Sequence, residues 1–150
     1  MYKRFESLRL SASESCFLWG PRQTGKSTLL KTLFPSARRY DLLDSAEYRR
    51  LTANPGILAQ ECRALGLTRE TQTAPVIIDE VQKIPELLDE VHRLIENEGI
   101  RFILCGSSAR KLKRSHANLL GGRAVSYELR PLCFPEIPEY SLSLALNRGL

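Results

Sequence analysis

The sequence predicts an α/β protein, a three-layer sandwich in which a mostly parallel sheet is covered by helices on both faces. Strand-like apolar segments alternate with helical patterns between residues 16 and 129, a glycine-rich loop joins the first strand to the first helix, and two later strands end in polar side chains. Because crossovers through helices join parallel strands, this alternation predicts a parallel sheet. Strands are expected at 16–19, 39–43, 75–79, 101–105 and 124–129, and helices at 26–34, 45–53, 56–65 and 85–98.

The first strand and helix follow from an apolar run and a proline. Cys16-Phe17-Leu18-Trp19 is continuously apolar, which is typical of a buried strand. The helical run Thr28-Leu29-Leu30-Lys31-Thr32-Leu33-Phe34 is followed by Pro35, which ends it.

The later strands and their connecting helix show similar patterns. Val76-Ile77-Ile78 indicates a buried parallel strand, and Phe102-Ile103-Leu104-Cys105 indicates another. Between them, Pro85 suits a first helical turn and Gly99 a C-terminal cap. The apolar stripe of this helix consists of Leu87, Leu88, Val91, Leu94 and Ile95.

The loop after the first strand fits the pattern G-x-x-x-x-G-K-[ST], which is typical of a nucleotide-phosphate cradle. Gly20 and Gly25 permit turns that a Cβ would hinder, and backbone N–H groups at a helix N-terminus bind anions. Lys26 supplies a cation for the β and γ phosphates, and the Ser27 hydroxyl suits Mg²⁺. The alternative is a simple glycine turn. The predicted nucleotide-binding residues are Gly20, Pro21, Arg22, Gln23, Thr24, Gly25, Lys26, Ser27 and Thr28.

Two carboxylates lie at the end of the third predicted strand. In proteins with a phosphate loop, the first such acid holds Mg²⁺ and an adjacent glutamate polarises a water that attacks the γ-phosphate. We therefore predict Asp79 as a metal-binding residue together with Ser27, and Glu80 as a catalytic base. The alternative is that these acids only decorate a helix N-terminus.

Small hydroxyl residues follow the fourth predicted strand. At this edge of the sheet, a polar side chain would lie beside the metal-binding strand and could orient water or sense the γ-phosphate. Ser107 is the first choice for this catalytic role and Ser108 the second. The alternative is that these residues only serve ordinary strand-exit and helix-cap chemistry.

Composition favours a single cytoplasmic domain. Of the 150 residues, 43% are hydrophobic and 26% are charged. A chain of this length and hydrophobic content can form one core. The sequence has no apolar stretch of about 18 residues and no signal-peptide pattern, so neither a membrane span nor secretion is expected. The four cysteines contain no closely spaced pair, which argues against a zinc framework or a disulfide scaffold.

Together, these motifs resemble those of the prokaryotic AAA-type ATPases that carry a C-terminal domain of unknown function. The shared blocks are 20–27, Ile78-Asp79-Glu80-Val81-Gln82-Lys83-Ile84-Pro85-Glu86-Leu87-Leu88, Leu104-Cys105-Gly106-Ser107-Ser108, Leu119-Leu120-Gly121-Gly122-Arg123, Leu129-Arg130-Pro131-Leu132 and Phe134-Pro135-Glu136. The resemblance implies that residues 1–150 form an AAA-like ATP-binding domain. Members of this group typically carry a further C-terminal domain, through which a homo-oligomer or partner protein could assemble. We expect that domain to be absent from these 150 residues, either because it was removed or because the chain is a shortened relative. For the P-loop class with an extra strand before the metal acid, the expected sheet order is 5-1-4-3-2.

Two basic features have several interpretations. Arg123 follows two glycines and could act catalytically as an arginine finger in its own subunit, act in a neighbouring subunit, or lie on the surface as an ordinary arginine. A cluster with Arg110, Lys111, Lys113 and Arg114 could meet nucleic-acid phosphates or form a solvated helix face.

The sequence thus predicts ATP and Mg²⁺ as ligands and hydrolysis by water attack on the γ-phosphate. A nucleotide-dependent switch with negligible turnover, possibly associated with nucleic acid, is the first alternative. A small-molecule kinase is the second, although the sequence has no recognisable basic lid.

Overall fold

The computed structural model describes residues 14–107 and 119–131, which contain a five-stranded, all-parallel sheet. The strands are β1 (Ser15–Trp19), β2 (Arg39–Asp41), β3 (Val76–Asp79), β4 (Phe102–Gly106) and β5 (Ala124–Glu128). The helices are α1 (Lys26–Leu33), α2 (Ser45–Ala53), α3 (Ile57–Ala64) and α4 (Leu87–Glu98), with short 3-10 turns at Val81–Lys83 and Leu119–Gly122.

The strands lie in the order β2-β3-β4-β1-β5, which read from the other edge is the predicted 5-1-4-3-2. Trp19 pairs with Gly106 on one side and with Glu128 on the other. Asp41 pairs with Asp79 in the same way. The carboxyl ends of all five strands therefore meet at one edge, where open α/β sheets bind ligands.

Side chains alternate between the two faces of the sheet, and each face has its own core. One core joins Cys16, Leu18 and Ile103 to Leu30 of α1. The other joins Phe17, Val76, Ile78, Phe102 and Leu104 to the buried residues of α2, α3 and α4, namely Leu51, Leu58, Ala59, Cys62, Leu87, Leu88, Val91 and Leu94. Helices thus cover both faces, which confirms the predicted three-layer sandwich.

The strand cysteines are buried and free, as expected for small apolar residues. Burial raises the pKa of the Cys16 thiol to about 12. It also raises the pKa of Cys105, and the nearby Asp79 carboxylate acts in the same direction. Both thiols are therefore neutral at physiological pH.

Two element boundaries differ from the prediction by two residues, for local reasons. β2 ends at Asp41 because the Asp41 carboxylate accepts from the Leu43 N–H at 2.9 Å and turns the chain. α4 begins at Leu87 because the preceding turn is closed by short-range bonds, among them Leu88 N–H to the Pro85 carbonyl at 3.0 Å. Gly99 ends α4 with a φ of 65°, as predicted for a C-terminal cap.

The polar segment 66–74 is fastened to the sheet by one buried amide. Gln72 is 5% exposed, and its Nε2 donates to the Arg101 carbonyl at 2.9 Å. Its Oε1 accepts from the Arg101 N–H at 2.7 Å. The side chain thus pairs with the backbone as an extra strand would, just before β4.

Within the described residues, no helix combines the length and the apolar character that crossing a membrane requires.

Replacing the side-chain amide of Gln72 should destabilise the fold. We expect Gln72→Ala to lower the free energy of unfolding by about 1–3 kcal/mol, because it removes the hydrogen bonds that the side-chain amide makes to the Arg101 N–H and carbonyl. Urea denaturation measures the change. Gln60→Ala, at an exposed position of α3, is the matched control and should change stability by less than about 0.5 kcal/mol. Equal effects of the two substitutions would contradict the anchoring role of Gln72.

Candidate functional site

A cleft of about 420 Å³ lies at the carboxyl edge of the sheet, between the loop after β1 and the end of β3. One side is formed by the loop and the first turn of α1, and the other by the carboxylates that end β3, with Leu43 beside them. Most of the residues predicted from the sequence therefore share one cavity. Its lining residues are Arg22, Gln23, Gly25, Lys26, Ser27, Thr28, Leu43, Asp79 and Glu80.

The loop owes its shape to close backbone approaches and left-handed residues. A Cβ on Gly20 would lie 2.2 Å from the Leu129 carbonyl oxygen, so a side chain has no room there. Gly25 has a φ of 86° and Gln23 a φ of 65°, in the region that favours glycine. The Thr24 hydroxyl donates to the Pro21 carbonyl at 2.9 Å and closes the turn. Gly20, Pro21 and Thr24 thus shape the cradle, while the other predicted loop residues line it.

Lys26 begins α1 and is held inside the loop. Its side chain is 6% exposed, and its Nζ donates to the carbonyls of Gly20 at 2.7 Å and Pro21 at 2.8 Å. The ammonium therefore sits at the centre of the cradle, where hydrogen bonds to two carbonyls offset its burial.

Ser27 and Asp79 bring two oxygen ligands together across the cleft. The Ser27 hydroxyl donates to Asp79 Oδ2 at 2.6 Å. Mg²⁺ prefers oxygen ligands and is usually held by one or two carboxylates, with water and substrate phosphates completing its shell. This donor pair fits such an ion. No group of three or more His, Cys, Asp and Glu suited to a metal occurs in the described ranges.

Glu80 has an unusual backbone conformation and a connected side chain. Its φ of 57° and ψ of 42° are left-handed, and its N–H donates to Asp79 Oδ1 at 3.0 Å. The residue is 6% exposed, yet it reaches the cleft. Its Oε2 accepts from the Ser107 hydroxyl at 3.2 Å, so the structure brings Ser107, from the end of β4, to the predicted base.

Sequence reasoning did not identify Gln82, which completes this network. Gln82 Nε2 donates both to Glu80 Oε2 and, at 3.1 Å, to the Ser107 hydroxyl. The spacing of two residues gives no signal by itself, because the left-handed turn at Glu80 is what brings the two side chains together.

Arg123 lies away from this cleft. It immediately precedes β5, beside Ser15 at the amino edge of the sheet, and lines a separate cavity of about 400 Å³ with Arg69 and Arg101. Its Nε donates to Glu96, and its Nη1 donates to the Gly121 carbonyl at 3.3 Å. A five-residue strand spans about 16 Å, so this placement does not support the arginine-finger interpretation within its own subunit.

The remaining predicted residues lie outside the described part of the chain. These are Ser108, the second choice for the role assigned to Ser107, and the basic cluster of Arg110, Lys111, Lys113 and Arg114.

The parallel sheet and the glycine-rich loop after β1 define an α/β P-loop fold. A family model described as an AAA domain matches residues 12–138, which include the whole cleft. The chain therefore belongs to the AAA domain family, which confirms the predicted AAA-type ATP-binding domain and indicates a nucleotide-binding, ATPase-like function. A search of curated proteins finds no match.

The close contact at Gly20 leads to a stability prediction with an internal control. We expect Gly20→Ala to cost about 3 kcal/mol or more, because the added methyl would overlap the Leu129 carbonyl. Gly25→Ala should cost only about 1–2 kcal/mol, since its methyl meets no atom within 4 Å and only the left-handed backbone opposes it. Thermal or urea unfolding compares the two variants. A larger loss for Gly25→Ala would show that the Leu129 contact does not determine the loop.

Proposed function

We propose that the chain binds ATP in the cleft and hydrolyses it in a Mg²⁺-dependent reaction. The main support is that four side chains suited to this chemistry, those of Lys26, Ser27, Asp79 and Glu80, line a single cleft at the carboxyl edge. The choice of ATP follows the family, whose members are AAA domains.

In this proposal the loop and Lys26 bind the triphosphate. The first backbone N–H groups of α1 have no partner inside the helix. Such groups suit phosphate oxygens bound in the loop. The Lys26 ammonium would exchange its two carbonyl acceptors for phosphate oxygens, which are stronger partners because they are charged.

Ser27 and Asp79 would hold the metal ion. Their hydroxyl and carboxylate oxygens already lie 2.6 Å apart, so little rearrangement is needed to face a cation. When bound, Mg²⁺ would neutralise phosphate charge and favour departure of the leaving group.

Glu80 would act as the general base, with Ser107 supporting it. A water oxygen forms the new bond to the γ-phosphorus while one of its protons passes to the Glu80 carboxylate. The bond from the γ-phosphorus to the bridging oxygen breaks, and its electron pair leaves with ADP.

The roles of Arg123 and of neighbouring chains stay predictions. At the amino edge, Arg123 would either serve the site of another molecule or act as an ordinary surface arginine paired with Glu96. Arginines supplied by a neighbouring molecule speed γ-phosphate transfer by about 10³–10⁵-fold. Slow turnover by the isolated chain is therefore expected. A second, C-terminal domain and assembly through it also remain expectations of the family resemblance.

The first test concerns binding. We expect Lys26→Ala to raise the dissociation constant for Mg²⁺-ATP by about 10–100-fold or more, because it removes a charge-assisted contact. Isothermal titration calorimetry measures this constant. Lys31→Ala, at an exposed position of the same helix, should bind as the wild type does. Unchanged ATP affinity in a folded Lys26→Ala protein would overturn the phosphate-loop assignment.

The second test separates hydrolysis from binding. We expect Glu80→Gln to retain Mg²⁺-ATP affinity and to slow phosphate release by about 10²–10⁴-fold, because an amide cannot take the proton from water. Glu86→Gln, at an exposed position just before α4, is the matched control. Equal rates for Glu80→Gln and wild type would reject Glu80 as the base. Tight ATP binding by a wild-type protein without measurable phosphate release would favour the nucleotide-dependent switch.

A further inference from the structure

We propose that Gln82 is a positioning residue for Glu80, and that its side-chain amide holds one oxygen of that carboxylate so that the other is free to take a proton from water. This inference rests on the proposed function, since it concerns how the base of the hydrolytic reaction is held.

The first observation is the closed network of three side chains. Gln82 Nε2 donates to Glu80 Oε2 and to the Ser107 hydroxyl, and that hydroxyl donates to Glu80 Oε2 at 3.2 Å. Both donors thus bind the same carboxylate oxygen. This fixes the plane of the carboxylate and leaves Glu80 Oε1 as the proton acceptor.

The second observation is the backbone that brings the two side chains together. After the left-handed Glu80, the 3-10 turn Val81–Lys83 is closed by the Lys83 N–H, which donates to the Glu80 carbonyl at 2.9 Å. Val81 and Ile84 are buried in the core, and Lys83 Nζ donates to the Leu42 carbonyl at 2.6 Å. Gln82 therefore projects from a turn that is anchored on several sides.

The third observation concerns the orientation of the Gln82 amide. Its Oε1 is buried and has no hydrogen-bond partner among the described residues. Turning the amide over would point this oxygen at the Glu80 carboxylate, where two electron-rich atoms repel. The Nε2 atom therefore faces Glu80, although this orientation leaves the buried Oε1 without a hydrogen-bond donor. Unpaired buried acceptors of this kind are rare.

Gly106 leaves the space that the Gln82 side-chain amide needs. A Cβ at this position would lie 2.5 Å from Gln82 Oε1 and 2.5 Å from the Trp19 ring. The glycine that ends β4, next to Ser107, therefore permits the Gln82 amide to lie over the strand end.

The test is a double-mutant cycle on phosphate release and ATP binding. Gln82→Met keeps the length of the side chain and removes its N–H donors. We expect it to retain Mg²⁺-ATP affinity and to lower the rate of phosphate release by about 10–100-fold, the effect of losing one hydrogen bond to a charged group. Gln60→Met, at an exposed position, should leave both quantities unchanged.

A positioning residue acts only through the group that it positions. In a Glu80→Gln background, Gln82→Met should therefore cause little further loss, whereas independent effects would multiply. Ser107→Ala tests the other donor of the network, and its effect should likewise be smaller than multiplicative when combined with Gln82→Met. If Gln82→Met fails to fold, Gln82→Asn, whose amide is one methylene too short, replaces it in the same cycle with the same expected results.

The outcomes separate this inference from the proposed function. Slow hydrolysis by Glu80→Gln with wild-type rates for Gln82→Met would overturn the role of Gln82 and leave the base assignment standing. A full further loss from Gln82→Met in the Glu80→Gln background would also overturn it, as would a parallel loss of ATP affinity. If the wild-type protein releases no phosphate, or if Glu80→Gln releases phosphate as fast as the wild type, both the proposed function and this inference are rejected.

Discussion

The parallel pairing of β1 with β4 and of β4 with β3 is the constraint on which the site depends. In a parallel sheet all strands end at the same edge. Residues more than fifty positions apart can therefore meet there, although no local sequence pattern predicts the contact. Ser27 and Asp79 are hydrogen-bonded at 2.6 Å across this edge. Ser107, from the end of β4, reaches Glu80 in the same way. The parallel pairing of β1 with β5 places Arg123 at the opposite edge, because it precedes its strand instead of following it.

The loop is also supported from β5, the strand that lies on the other side of β1. The Leu129 N–H donates to the Trp19 carbonyl at 2.7 Å, and the Leu129 carbonyl lies where a side chain on Gly20 would be. The exit of β5 thus forms a wall for the phosphate loop. Gly20 serves close packing between backbones here, in addition to the freedom that a glycine gives to a turn.

The charged side chains in the cleft are held by specific hydrogen bonds. The buried Lys26 ammonium is satisfied by two carbonyls, and Asp79 accepts from the Ser27 hydroxyl and the Glu80 N–H. Glu80 accepts from Ser107 and Gln82. The buried Lys26 and Glu80 side chains are tolerated because each has hydrogen-bond partners, and the left-handed backbone at Glu80 is the local cost of this arrangement.

The sequence by itself determined the α/β class, the five strands, the phosphate loop and the positions of Asp79 and Glu80 at a strand end, whereas the strand order came from the resemblance to the P-loop class. These rest on local patterns: continuous apolar runs, fixed glycine and lysine spacing, and polar residues at strand ends. Only the tertiary structure decided which of these residues meet. It also decided where Arg123 lies and that Gln82 contacts Glu80. The reason is physical, because the Gln82 contact arises from one left-handed residue and from a glycine on a separate strand, and neither a backbone angle nor a cross-strand clearance can be read from side-chain periodicity.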